Sequence, residues 1–278
     1  MKTRVVSAFL GAVLLGLGVV GAAFAADVNG ERRTVSLDGL WSVSYSSYTD
    51  DQIPPVFGSK IPVPGHWPLI QPPFPCPKRG ALWCRTSYRA PKVLPPRVVL
   101  RIGKAQFGRT VFINGKKAGF YPYNFSSSEM DIRPFLRAGE TNDVIVRVKM
   151  MPSALQDKPV AHIGQDAERH NYYPGIYDSV SVIESGWPAI IHLDVASDLE
   201  RGVAQVRVKL TNGAKETVPS DLVLSVGEAS VRVTGAALGP GETRTVVGEV
   251  KIPGFDRILA GDRQACRADA LHVVDVFV

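Results

Sequence analysis

Along much of the chain, apolar and polar residues alternate in short bursts separated by turn-forming residues. Val98-Val99-Leu100-Arg101-Ile102, Thr110-Val111-Phe112-Ile113, Val144-Ile145-Val146-Arg147-Val148 and Ser179-Val180-Ser181-Val182-Ile183 are four of them. Each has the length of a strand and is rich in β-branched residues, which suit a pleated, half-buried surface. Asn114-Gly115 follows the second burst directly. A two-residue type I′ turn needs positive φ at both centres, which Asn-Gly adopts at little cost, so a hairpin is predicted there. No amphipathic pattern of three helical turns is present. One short helical turn is expected over Ile132–Ala138, opened by Arg133-Pro134 and ended by Gly139.

The pattern changes character near Glu184-Ser185-Gly186-Trp187-Pro188, then resumes. Ile190–Val195, Val203–Leu210, Leu222–Val226, Ser230–Val233 and Thr243–Val250 alternate in the same way, divided by turns at Thr211-Asn212-Gly213 and Leu238-Gly239-Pro240-Gly241. The stretch Phe255–Val278 is less regular, and its strands are not predicted. Many short strands with turn punctuation define an all-β chain, a sandwich or barrel followed by a smaller, possibly incomplete immunoglobulin-like sandwich.

Composition agrees. Of 278 residues, 45% are hydrophobic, enough to bury a core and to exclude general disorder; 26 Gly and 21 Pro supply the turns. The first residues stand apart. Met1-Lys2-Thr3-Arg4 is positive, Val5–Val20 is apolar, and Ala23-Phe24-Ala25 fits a small-x-small cleavage pattern. This reads as a secretory signal peptide over residues 1–25, with a periplasmic or extracellular product and no membrane attachment after cleavage. An uncleaved anchor is the alternative, with an apolar stretch somewhat short of the ~20 residues that span a bilayer. Cleavage removes Lys2 and Arg4 and lowers the formal charge of +6 to near +4. The basic residues are dispersed, unlike the concentrated patch of a nucleic-acid binder. Export leads to an oxidising compartment. Cys76 and Cys84 flank a short Pro/Gly-containing loop across which a disulfide could form, leaving Cys266 over. The three cysteines are not spaced as zinc ligands, so neither a metal nor a cofactor is expected.

Most motif-like spacings dissolve on inspection. Gly16-x-Gly18-x-x-Gly21 has dinucleotide-fingerprint spacing but lies inside the signal peptide. Neither a Gly-x-Ser-x-Gly elbow nor a phosphate-binding loop is present. One segment stands out. Asp166-Ala167-Glu168-Arg169-His170-Asn171-Tyr172-Tyr173 concentrates carboxylates, an imidazole, an amide and two phenols in a stretch without strand pattern. Such mixtures bind sugars: carboxylates and amides pair with hydroxyls, and aromatic faces pack on ring C–H faces. A polar connection anchored by two tyrosines has the same composition.

Read in order, several segments resemble landmarks of family 2 glycoside hydrolases, the group of β-galactosidases, β-glucuronidases and β-mannosidases. They are Ser36-Leu37-Asp38-Gly39-Leu40-Trp41, Val63-Pro64-Gly65-His66-Trp67, Leu82-Trp83-Cys84-Arg85-Thr86-Ser87-Tyr88, Val111-Phe112-Ile113-Asn114-Gly115-Lys116, Asp131–Glu140 and Asn171-Tyr172-x-x-Gly175-Ile176. The resemblance implies a jelly-roll, galactose-binding-like domain over residues 26–186 and an immunoglobulin-like domain over 187–278. In the family a (β/α)₈ barrel of about 250 residues follows and carries the catalytic glutamates. This sequence leaves no room for it and contains no Asn-Glu dipeptide, the family's acid/base signature. No catalytic residue is therefore carried over, and the chain is not expected to be active alone.

The resemblance also raises the interest of two loops that in the family reach toward the sugar. One follows Gln71-Pro72-Pro73-Phe74-Pro75; Lys78-Arg79 stands where β-galactosidases have a sugar-contacting Asn, making Arg79 a candidate. The other contains Asp166, Glu168, His170, Asn171, Tyr172 and Tyr173, with one inserted residue leaving the family carboxylate ambiguous between Asp166 and Glu168. Asp178 departs from an Arg usual in the family. The expected ligand is a carbohydrate, and the expected protein partner is a separate catalytic barrel chain or a second copy. The alternatives are the ectodomain of a sensor or scaffold acting by protein contact, and a truncated piece of an active β-glycosidase.

Overall fold

The computed structural model describes residues 32–47, 51–74, 80–124, 126–149, 173–198, 200–226 and 229–252, together with the backbone of 274–277. These fall into two compact units, Arg33–Glu184 and Ser185 onward. Thirteen strands build the first: β1 (Arg33–Ser36), β2 (Gly39–Ser46), β3 (Ser59–Val63), β4 (Gly65–His66), β5 (Ala81–Arg89), β6 (Arg97–Ile102), β7 (Ala105–Gln106), β8 (Arg109–Ile113), β9 (Lys116–Tyr121), β10 (Ser128–Asp131), β11 (Thr141–Lys149), β12 (Gly175–Ile176) and β13 (Val180–Ser185), the last running one residue into the second unit.

They form a four-stranded sheet, β1-β13-β6-β10, a six-stranded sheet, β3-β2-β5-β11-β8-β9, and a small corner sheet, β4-β12-β7. From β5 to β13 the chain repeatedly crosses between the two large sheets, the connectivity of a jelly roll. Inward-facing residues of both sheets make one core that includes Trp41, Val43, Leu82, Cys84, Tyr88, Leu100, Val111, Ile113, Val146 and Val182. Burying each large apolar side chain contributes about 1.5–3 kcal/mol.

The Asn114-Gly115 hairpin is present as predicted. The two residues have φ of 51° and 78°, and β8 pairs with β9 across them. Asn114 does more than turn: its amide donates to Phe135 O and Asn142 Oδ1, while its Oδ1 accepts from Asp143 N–H. The helical turn is shorter than expected. A 3₁₀ turn covers Arg133–Phe135, and Leu136 is already extended. Pro134 fits the first turn of a helix, but nothing downstream supplies an apolar face to extend it.

Cys84 corrects a sequence expectation. It is a free thiol, fully buried on the core side of β5, so the Cys76–Cys84 disulfide is not formed. Strand alternation is the cause: Cys84 shares the inward parity of Leu82 and Tyr88. Burial pushes its pKa up to about 12. Cys76 lies outside the described residues.

Among the described residues, one end of the opposite face of the six-stranded sheet is covered. Residues 51–58 strap across it, laying Ile53 and Phe57 on Ala81, Trp83, Phe112 and Ile145. Asp51 pins the strap, bonding Lys117 Nζ at 2.9 Å and Arg147 Nη1 at 2.8 Å.

The second unit holds β14 (Ala189–Asp198), β15 (Val203–Thr211), β16 (Leu222–Val226), β17 (Ala229–Val233), β18 (Thr243–Lys251) and β19 (Val274–Phe277). They form two three-stranded sheets, β14-β15-β18 and β17-β16-β19. The core comes from alternate residues, among them Val206, Val208, Leu210, Leu222, Leu224 and Val226. β19, in the irregular stretch, escaped the sequence pattern. Asn212, fully buried, does the work of its turn by donating to Glu216 O, Leu238 O and Gly239 O.

Candidate functional site

Of the sequence-predicted site residues, Tyr173 alone is described. Arg79, Asp166, Glu168, His170, Asn171 and Tyr172 lie outside the described residues. What the structure does place is a footing of each candidate loop, and the two footings converge on one residue.

That residue is Trp67, at the head of the 3₁₀ turn Trp67–Leu69. It is 5% exposed and belongs to the core. Its indole N–H donates to Phe74 O at 3.1 Å, and its ring meets Phe74 edge-on at 4.6 Å. Phe74 is the last described residue before segment 75–79. The backbone N–H of Trp67 donates to Pro174 O at 3.1 Å. Pro174 follows Tyr173, the first described residue after segment 150–172. One residue, through its buried indole and its backbone amide, thus holds a described end of each segment.

The corner sheet fixes the rest. Gly175 pairs with His66 on one side and Gln106 on the other. The approach is close enough to require glycine: a Cβ on Gly175 would lie 2.4 Å from Gly65 O and 2.6 Å from His66 Cα. This explains physically why a glycine stands at position 175 of the Asn171-Tyr172-x-x-Gly175-Ile176 motif.

Over this sheet lies a small aromatic group. The His66 ring stacks on Tyr177 at 5.6 Å with 18° between planes, and Tyr173 stands 6.3 Å from it. The Tyr177 hydroxyl donates to Tyr173 O at 2.6 Å, and burial raises its pKa. Beside it Lys104 Nζ and Asp178 Oδ2 are 3.9 Å apart, both half-exposed. Stacked rings beside polar groups can pack against a sugar's C–H face and bond its hydroxyls. His66, Trp67 and Tyr177 were not anticipated as site residues. The only sequence signal was the position of His66 and Trp67 within Val63–Trp67, which marks a landmark without revealing a role.

Among the described residues no group of three or more His, Cys, Asp or Glu is arranged to hold a metal ion. No helix among them is long and apolar enough to cross a membrane.

This is a two-sandwich, all-β architecture of the kind found within family 2 glycoside hydrolases. No family model matches the sequence, and no curated protein matches it. The likeness is to solved structures. A GH2 β-galacturonidase from Eisenbergiella tayi bound to galacturonate aligns with 80% of this chain and 38% of its own, with a TM-score of 0.62 and 17% identity. A β-glucuronidase from Bacteroides uniformis aligns with 80% of this chain and 28% of its own (TM-score 0.58, 18% identity). A β-D-mannosidase from Dictyoglomus thermophilum aligns over 80% and 31% (TM-score 0.55, 18% identity). The chain shares their fold, and it spans well under half the length of each.

Proposed function

We propose that this chain is a carbohydrate-associated, non-catalytic module, equivalent to the front two sandwiches of a family 2 glycoside hydrolase, exported from the cell by its signal peptide. The observation that carries the reading is the joint tethering of two candidate sugar-facing loops on Trp67. It occurs in a fold shared over four-fifths of the chain with enzymes named for galacturonides, glucuronides and mannosides. Tyr173 and His66 supply the apolar faces at the base of the site, and Arg79, Asp166, Glu168, His170, Asn171 and Tyr172 supply the polar contacts.

Calorimetric titration of the purified chain with glycan fragments tests this. Binding in the micromolar to millimolar range is expected, with Tyr173→Ala reducing it severalfold. Absence of affinity for any glycan on an array would refute it. Nitrophenyl glycosides should not be turned over by the chain alone.

One observation favours a second role for the same module, as part of an active glycosidase: the chain matches only 28–38% of the solved enzymes' lengths. The module would then dock on a barrel supplied separately, or on a second copy of itself. Leu193 and Val195 on β14, 39% and 46% exposed, are apolar surface available for such contact. Light scattering with and without a barrel chain distinguishes the two arrangements.

A further inference from the structure

The six-stranded sheet carries a second concave surface, which shares no residue with the Trp67 corner. Where the strap ends, the outward side chains of three adjacent strands line an open trough of about 570 Å³. Leu40 and Ser42 come from β2, Arg85 and Ser87 from β5, and Thr141 and Asp143 from β11, with Phe57 of the strap as a wall. The registers set them side by side: Ser42 is opposite Arg85, and Ser87 is opposite Asp143.

A solvated sheet face needs only polar side chains. This face adds three features. Its volume falls within the ~300–1,000 Å³ of small-molecule sites. A charge pair is fixed in its floor: Arg85 Nε–H donates to Asp143 Oδ1 at 2.6 Å, and the guanidinium lies 5.4 Å over the Phe57 ring. Among the described residues the Nη groups of Arg85 have no hydrogen-bond partner. Leu40, 69% exposed, gives the trough a bare apolar step.

We propose that this trough binds a neutral pyranose unit of a glycan, an inference that rests on the carbohydrate role above and gives the module a second contact with its ligand. The chemistry matches on each count. Asp143 accepts from vicinal hydroxyls. The Arg85 Nη groups donate to hydroxyl and ring oxygens. Ser87 and Thr141 do either. Leu40 packs on a C–H face. Neutrality follows from the charges lining the trough, one of each sign and already paired. A sugar carboxylate would have to displace Asp143 from Arg85 and would face its repulsion.

Titration of the full chain with methyl β-galactopyranoside, methyl β-glucopyranoside, methyl β-mannopyranoside and sodium galacturonate tests the site, using wild type, Asp143→Ala, Leu40→Lys and Tyr173→Ala. Leu40 is so exposed that its replacement leaves folding intact, which circular dichroism verifies. At least one neutral glycoside should bind wild type and lose about tenfold in affinity in both trough variants, through the loss of one charge-assisted contact in Asp143→Ala and of the apolar step in Leu40→Lys. Galacturonate should bind more weakly than that glycoside. Affinity unchanged in both trough variants but reduced by Tyr173→Ala would overturn the trough and leave the carbohydrate role standing. Preference for galacturonate would overturn the neutral assignment. Failure of every probe to bind wild type would overturn both.

Discussion

Asp51 pins the strap that bounds the trough, and Asp51→Asn tests how much that carboxylate contributes. Asp51 is 42% exposed, but one partner, Arg147, is only 4% exposed. Arg147 also donates to Thr110 Oγ1 at 2.9 Å and lies 5.4 Å over the Trp83 ring. An exposed ion pair contributes about 0.2–1 kcal/mol. A buried charge stripped of its partner costs about 3–5 kcal/mol. The Asp51–Arg147 pair lies between these limits, and the exposed Lys117 pair adds at the low end and is screened by salt. A loss of about 2 kcal/mol is therefore expected in urea unfolding at neutral pH, followed by tryptophan fluorescence.

The acid dependence supplies an independent check. Burial alone would raise the Asp51 pKa. The hydrogen bond from Lys117 and the charges of Arg147, Lys117 and Lys149 outweigh it and hold the group below the usual carboxylate range. A carboxylate depressed in the folded state stabilises fully above its unfolded pKa of about 3.9, and that contribution fades as pH falls through the lower folded value. Wild type should thus lose this increment below about pH 4, and the Asn variant should lack that part of the acid limb. A double-mutant cycle with Arg147→Met should show coupling above about 1 kcal/mol. An Asn variant within about 0.3 kcal/mol of wild type with an unchanged acid limb would refute the reasoning.

Arg109 is fully buried, bonding Ser128 Oγ, Tyr123 O and Ser126 O, and burial lowers its pKa to about 10. Arg109→Met should cost about 3 kcal/mol in denaturant unfolding by orphaning these acceptors, and a cost under about 1 kcal/mol would count against that account. Gly175→Ala drives a Cβ into the β4 backbone and should separate β12 from β4; hydrogen exchange at Trp67 N–H, which bonds Pro174 O next door, should rise at least tenfold. Cys84 should resist thiol reagents in the native protein at mildly alkaline pH and react promptly in urea, and rapid native labelling at that site would contradict its placement in the core.

Sequence reading succeeded where the cause was local. The Asn114-Gly115 turn, the alternation in β6, β8 and β11, and the all-β class follow from steric preference and period-two burial within a few residues. It failed where the cause was long-range. Cys84 looked like half of a disulfide because loop spacing says nothing about which way a strand residue points; pairing on both edges of β5 turns it inward. Trp67 looked like a landmark and proved an anchor, because one of its two partners, Pro174, lies far along the chain near the other end of the unit. The trough was invisible for the same reason. Ser42, Arg85 and Asp143 are ordinary solvated residues until antiparallel registers set three strands side by side.

Trp67 has a wider meaning for how such a module could diversify. Because one residue seats a described end of each segment, through its indole and its backbone amide, the seating is made by residues outside both segments. A fold arranged this way works like a drill chuck, its jaws made independently of the bit they hold.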